Sequence, residues 1–430
     1  MPAVIVSPPE KLFDASLLEA IRSRFLHAER DPFTGARVYF ENAGGGLTLR
    51  SVFDADQKYA SLPDNAGREN AASREVGRVI KGGRADVATF LNARDGTILC
   101  DQSTTACAFR LLSAAVAGIR GTNLVCSELD HASFYDAAKF LADRHGLERR
   151  VVPLNRQTGA LDADAFAAQV DSGTVAVSFI HASNITGGQS DLNDVVGRVR
   201  SRAPQAIIVV DGAQHTQHCL VDVDASAVDA YVFSAYKVFS KPGLAFAYVS
   251  PRLAKLPHAQ LLGKPSSDWD LGTRDPGGFA AFTCVVDYLS WLGTQADSSV
   301  AQRDRRSQLA AGMQAIARHE TALSRLLLDG VGRLPGLGSH PQVTLHGQRD
   351  PGRGREAVFA FTIKGRPTGE IVQQFGNHGV IVHDRVSDAY SGHTLAALGV
   401  PEVVRVSLAH YNSPREVETF LRVLAEICTT

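Results

Sequence analysis

The chain predicts an α/β fold in which helices cover both faces of a mainly parallel sheet, followed by a smaller α+β unit. Three observations predict it. Between about residues 75 and 250, short apolar runs recur at a spacing that leaves room for a helix between most of them. Several of these runs are apolar at every position, as strands buried on both faces must be. Past residue 300 the pattern changes to one long amphipathic stretch and then to alternating strands.

The first part follows in chain order. The strand candidates are "GTILC", "TNLVCS", "RRVVPL", "TVAVSFI", "AIIVVD", "AYVFS" and "LAFAYVS". "TACAFRLLSAAVAGI" and "SDLNDVVGRVRSRA" read as helices between them. In "SQLAAGMQAIARHETALSRLLLDGV", Leu309, Met313, Ile316, Leu323, Leu326 and Leu327 recur at helical spacing and predict a long helix leaving the first unit. "AVFAFTIKG", "GVIVHD" and "VVRVSLAHY" then read as strands. A last helix starts at "SPREVETFL", where Ser413 and Glu416 form a capping box with Pro414 at the first helical position.

Composition excludes several classes of function. The 430 residues are 44% hydrophobic and 21% charged, the usage of a globular chain with a large core. With 44 basic residues against 45 acidic ones, no global charge attracts nucleic acid or an anionic membrane. The start, "MPAVIVSPPEKLFDAS", has neither a basic region nor a long apolar run, and no apolar run nears the roughly 20 residues of a membrane span. A soluble cytoplasmic protein is the expectation. Cys100, Cys107, Cys126, Cys219, Cys284 and Cys428 show no metal-finger or CxxC spacing, so reduced and mostly buried thiols are expected.

In an open α/β sheet, ligands gather at the carboxyl ends of the strands. There the sequence offers Ser103, Thr104 and Thr105 at a helix start, whose hydroxyls and free N–H groups suit an anion as well as a simple cap. His131 follows the next strand, where its ring could lie flat on a planar ligand. Asn184 and Gly187 sit in a loop that could admit a ligand close to the backbone. Asp211 ends the most hydrophobic strand, where a carboxylate needs a cation or a strong donor, and Lys237 follows one strand later. An acid for a pyridine nitrogen, an imine-forming lysine and an anion-binding helix start are the parts of a pyridoxal phosphate site.

With these parts in this order, the chain resembles the class V aminotransferase-fold enzymes that use pyridoxal phosphate (PLP), and within them the cysteine desulfurase-like branch. The resemblance runs through "VYFENAGGG", "QSTTACAF", "SELDHASF", "HASNITGG", "VVDGAQHTQHCLVDV", "YVFSAYKVFSKPG", "WDLGTRDPGG" and "VVRVSLAHYN". It implies the fold type I of PLP-dependent transferases, with a seven-stranded large domain over residues 51–295 and a small α+β domain from 1–50 and 296–430. It implies Lys237 as the Schiff-base lysine, Asp211 as partner of the ring nitrogen and His131 as the stacked, catalytic imidazole. Gln214 would bond the ring oxygen, with Asn184 near that oxygen or the substrate. Thr104, Thr105, Ser234 and Tyr236 would form the phosphate cup. Thr273 would reach the phosphate of a neighbouring subunit, which implies a homodimer with shared sites. Arg405, with Asn42 and Asn184, would hold the substrate, and the alternation of Arg405 with Val404, Val406 and Leu408 puts it on the face opposite their packed side.

The sequence departs from the desulfurase pattern in one place. The segment "GVIVHDRVSDAYSGHTLAALGVPE" has no cysteine where the sulfur-accepting one is expected, and Asp388 falls near that position. A carboxylate is a poor nucleophile toward sulfur, so persulfide transfer is not expected. What the resemblance then implies is an α-amino acid that displaces Lys237 from the cofactor and loses its Cα proton, with β-elimination by a carbon-sulfur lyase as the leading outcome. Transamination to a keto acid, epimerisation and a non-catalytic PLP-binding scaffold are the alternatives.

Overall fold

The computed structural model describes residues 10–265, 267–351 and 354–429, so the first nine residues of the N-terminal reading lie outside it. The seven apolar runs form one sheet, with strands β1 (Thr97–Asp101), β2 (Asn123–Ser127), β3 (Glu148–Val152), β4 (Thr174–Ile180), β5 (Ile207–Asp211), β6 (Ala230–Ser234) and β7 (Ala245–Val249). Their spatial order is β1-β7-β6-β5-β4-β2-β3. Every junction is parallel except those of β7, which runs against both β1 and β6.

Alternation along each strand divides the core between the two sides of the sheet. Ile207 and Val209 of β5 pack with Leu111 and Phe134, from helices α2 (Thr104–Gly118) and α3 (Ala132–His145). Ile208 and Val210 face the other way, toward Phe90 of α1 (Ala71–Leu91), Val195 of α4 (Leu192–Arg202) and Leu289 of α5 (Pro276–Ala296). Full burial of each such side chain is worth ~1.5–3 kcal/mol, so both faces are anchored and the strand ends are held in register.

The long predicted helix is α6 (Arg305–Asp329), and it serves two cores. Leu309, Met313 and Ile316 join the core of the large sheet, whereas Leu323 and Leu327 join a second one. That second core lies on a four-stranded antiparallel sheet of β8 (Val343–His346), β9 (Val358–Ile363), β10 (His383–Val386) and β11 (Glu402–Ser407), in the order β8-β9-β11-β10. Phe359, Phe361, Val404 and Val406 pack there against Phe420, Leu421 and Leu424 of α7 (Pro414–Thr429). The predicted capping box closes α7, with Ser413 N–H donating to Glu416 Oε2 at 2.7 Å and Glu416 N–H to Ser413 Oγ at 3.2 Å.

One predicted strand divides. "GVIVHD" becomes Val380–Ile381, which pairs in parallel with Val38–Tyr39, and β10, which pairs with β11. The chain changes partners at Val382, and the first pairing ties the N-terminal segment to the small sheet. All six cysteines are free. Among the described residues, no helix is long and apolar enough to cross a membrane.

Candidate active site

A cavity of about 160 Å³ opens at the carboxyl ends of β1, β2, β4, β5 and β6. Its wall brings together Thr104, Thr105, His131, Asn184, Asp211, Gln214, Ser234, Tyr236 and Lys237, residues spread over more than 130 positions of sequence. Strand register does this. Asp211, the last residue of β5, lies opposite Ile180, the last of β4, and Val232, two residues before the end of β6, so these parallel strands end within two residues of one level and their next residues turn into the same space.

Lys237 is not on a strand. β6 ends at Ser234, and a single 3-10 turn, Ala235–Val238, carries Lys237 to the cavity before Phe239 reverses the chain with a φ of +63°. Its Nζ donates to the Ala43 carbonyl. Burial, with Arg405 nearby, pushes its pKa down from 10.5 to about 8, against the pull of Glu41 and Asp211. At neutral pH the neutral amine is therefore roughly 300-fold more abundant than for a free lysine. The rate at which apoprotein takes up an aldehyde is expected to rise with pH and level off above about 8. Stopped-flow absorbance against pH measures this, and a rise continuing past pH 10 would show that Lys237 behaves as an ordinary exposed lysine.

Asp211 is buried, and its Oδ1 accepts from Ala213 N–H at 2.9 Å. Burial pushes its pKa up to about 6, and the Ala213 N–H and Lys237 only partly offset that. Gly212 is required behind it, since a Cβ there would lie 2.0 Å from the Tyr231 ring. His131 caps α3. Its Nδ1 accepts from Ser133 N–H at 3.2 Å, which leaves the proton on Nε2, and burial lowers its pKa to about 4 so that the ring is neutral. At the other end of the cavity, Thr104 and Ser234 hydroxyls meet at 2.5 Å at the N-terminus of α2, where Ser103 Oγ accepts from Ala106 N–H at 3.1 Å and the N–H groups of Thr104 and Thr105 remain to bind an anion.

Arg405 approaches this group from the small sheet. Val404 and Val406 point into the second core, and Arg405 points the other way, as its alternation predicts. It is 2% exposed, its Nη1 donates to the Asn184 carbonyl at 2.8 Å, and its Nη2 pairs with Glu41. Its Nε is buried without a partner among the described residues.

Two expectations, for Asn42 and Gly187, are placed differently. Asn42 is wholly buried, with its amide donating to Ser407 O at 2.7 Å and accepting from Tyr411, so it pins the N-terminal segment to the end of β11 instead of facing the cavity. Gly187 has a φ of +76°, and a Cβ there would come 2.3 Å from Val358 O, so its close approach is to the chain's own backbone rather than to a ligand. Thr273 is exposed and does not line this chain's cavity. Asp388 is also exposed, and its Oδ1 accepts from the N–H groups of Tyr390 and Ser391, so it caps a turn.

Sequence reasoning missed Glu41 and Arg385. Glu41 gave one signal, an acid in "FENAGGG" directly before Asn42. Arg385 lies two residues along β10 from His383, the partner of Arg405, and so shares its face of the small sheet, where its charge acts on both Lys237 and His131.

The residues present fit pyridoxal phosphate. The Gln214 amide lies on the cavity wall with one end on His218 and the other buried without a partner among the described residues. The raised Asp211 carboxyl lacks the cation that a protonated ring nitrogen would be, and the Thr104 end of α2 suits a phosphate.

Comparison with known proteins places this site in a family. Residues 38–420 match the family Aminotransferase class-V. The cysteine desulfurases of Salmonella agona and Salmonella typhimurium are each 26% identical over 434 residues, covering 95% of this chain and 98% of theirs. The apo structure of a cysteine desulfurase from Thermococcus onnurineus NA1 matches with a TM-score of 0.78 at 22% identity, over 96% of this chain and 98% of that one. The Escherichia coli cysteine desulfurase CsdA matches with a TM-score of 0.76 at 21% identity, over 97% and 98%. From its N-terminal segment to its last helix, the chain belongs to the class V aminotransferases, a family of PLP-dependent enzymes.

Proposed function

We propose that the protein is a PLP-dependent carbon-sulfur lyase acting on cysteine or a sulfur-substituted α-amino acid. The observation that carries this reading is the convergence of Lys237 and Asp211 on one cavity whose wall holds no cysteine, with Arg405 packed behind that wall on the carbonyl of Asn184. The likeness to cysteine desulfurases supports the choice of substrate.

Each residue has a task that its surroundings favour. Pyridoxal phosphate, when bound, supplies an electron sink for the charge left at Cα. Thr104, Thr105, Ser234 and Tyr236, with the α2 N-terminus, hold its phosphate. Asp211, opposite, provides the negative charge that keeps the ring nitrogen protonated. Arg405 offers the substrate carboxylate its unpartnered Nε, and Nη2 where the substrate displaces Glu41. The Lys237 amine, held near a pKa of about 8, removes the Cα proton. The pair left at Cα then forms a Cα=Cβ bond as the Cβ–S pair leaves with sulfur, which takes a proton to depart as a thiol or as hydrogen sulfide, and water converts the released unsaturated amino acid to keto acid and ammonia.

Sulfur leaves into solution because no thiol is poised to receive it. Burial raises the thiol pKa of every cysteine, Cys100 to about 12, and the sequence between Cys284 and Cys428 contains none. A homodimer is part of the proposal. Thr273 and its neighbours Leu261, Leu262 and Leu271 are exposed, as a segment covered by a second subunit would be.

Two measurements test the reading together. Candidate thio-amino acids should shift the visible absorption of the holoenzyme and release keto acid, ammonia and thiol in equal amounts. During turnover of cysteine, the intact mass of the protein should not gain a sulfur atom, and iodoacetamide should leave activity unchanged. Amination of an added keto acid without thiol release would instead identify an aminotransferase, and a persulfide on the chain would defeat the solution-release step.

A further inference from the structure

Behind the cavity runs a buried polar row that the proposed reaction leaves without a role. Gln214 is 1% exposed, its Nε2 stands 2.8 Å from His218 Nε2, and His218 Nδ1 stands 2.7 Å from Glu320 Oε2. His218 and Glu320 are 1% and 3% exposed. Gln214 caps the short helix His215–His218, so the two side chains lie four residues apart on one face, and Glu320 reaches them from α6.

The donors and acceptors of this row do not close as they stand. With Nε2 donating to His218, Gln214 Oε1 is left buried and without a donor among the described residues, which carries the full desolvation penalty of that oxygen. Turning the amide through 180° keeps every heavy-atom position and exchanges its ends. Oε1 then accepts from His218 Nε2–H, and the amino group turns to the cavity. With Glu320 ionised, which burial opposes and His218 favours, this arrangement puts a proton on both imidazole nitrogens. A carboxylate at 2.7 Å from Nδ1 is the counter-charge such an imidazolium requires.

The charges around His218 favour that state. Glu320 faces it from α6, Glu356 lies beside β9, Lys237 is across the cavity, and His410 comes from the loop after β11. Burial opposes the positive charge and Lys237 repels it, but attraction to Glu320, the hydrogen bond to it and the Glu356 charge outweigh both, so the His218 pKa is raised.

We propose that the His218–Glu320 ion pair is a positioning device that fixes the Gln214 amino group toward the cavity, where it donates to the ring oxygen of the bound cofactor. The proposal rests on the reading of this cavity as a PLP site. A donor at that oxygen competes with the Lys237 nitrogen for its electrons and so lowers the pH at which the nitrogen releases its proton. With an acceptor in its place, the oxygen would hold that proton more firmly.

Glu320→Gln keeps the shape and removes the charge. It should leave cofactor bound and raise the pH midpoint of its visible absorption by about 1 unit, the scale expected for one hydrogen bond to a charged group. An unchanged or lowered midpoint overturns the proposal. A second measurement needs no altered protein: in ¹⁵N-histidine-labelled wild type, with the His218 signals assigned by their loss in His218→Gln, both ring nitrogens should be protonated at neutral pH. A neutral-ring pattern overturns the proposal, and this arm decides if Glu320→Gln does not fold. Wild type that takes up no cofactor would remove the reading of the cavity as a PLP site, while the imidazole measurement would still report on the ion pair.

Discussion

Lys237→Ala is expected to abolish the visible absorption of a lysine-linked cofactor and to lower kcat/KM by about 10²–10⁴-fold from the lost proton transfer alone. The size of the effect follows from position. Lys237 is the amine on the cavity wall, its Nζ is anchored by the Ala43 carbonyl, and its pKa near 8 gives it a neutral population at working pH. A general base is most useful when its pKa lies close to the operating pH, and burial has moved this one there. Absorbance and steady-state kinetics on the purified variant check the expectation. If Lys237→Ala kept the wild-type spectrum, another amine would have to hold the cofactor.

Arg405→Ala should retain the cofactor spectrum but lose about 30- to 3000-fold in kcat/KM, mostly through KM. Removing one partner of a buried, hydrogen-bonded charge pair costs ~2–5 kcal/mol, and each 1.4 kcal/mol is about tenfold. Two effects combine here. The substrate carboxylate loses its guanidinium, and Glu41, whose side chain is 16% exposed, loses its counter-charge. Glu41→Gln separates them, because it frees Arg405 without removing it and should lower KM for an α-carboxylate. A loss in kcat with KM unchanged in Arg405→Ala would mean that Arg405 supports the fold of the site rather than the binding of substrate.

Most of the architecture was legible in the chain itself, because the signals for it are local. "TVAVSFI" and "AYVFS" are strands over the residues the pattern marked, and α7 begins at its capping box. The side chains at the cavity were legible for a related reason. Parallel strands of similar length end together, so a polar residue just past an apolar run falls near the others whatever lies between. Lys237 shows the limit of that rule, since a 3-10 turn and the left-handed Phe239, not the strand, decide where it points.

What only the tertiary structure decided are pairings between distant segments. Glu41 and Arg405 are 364 residues apart, as are Ala43 and Ser407, and no periodicity connects them. The same distance hid Asn42. Its residue type suits a substrate contact, yet the parallel pairing of Val38–Tyr39 with Val380–Ile381 carries it into the core beside Tyr411. His218 and Glu320, 102 residues apart, met because α6 crosses from one core to the other. The sequence by itself determined the strands, the helices and the level at which functional groups cluster, since these follow from burial and local backbone geometry. Which charge neutralises which was decided only by the packed fold, because a buried ion pair depends on where two independent elements come to rest.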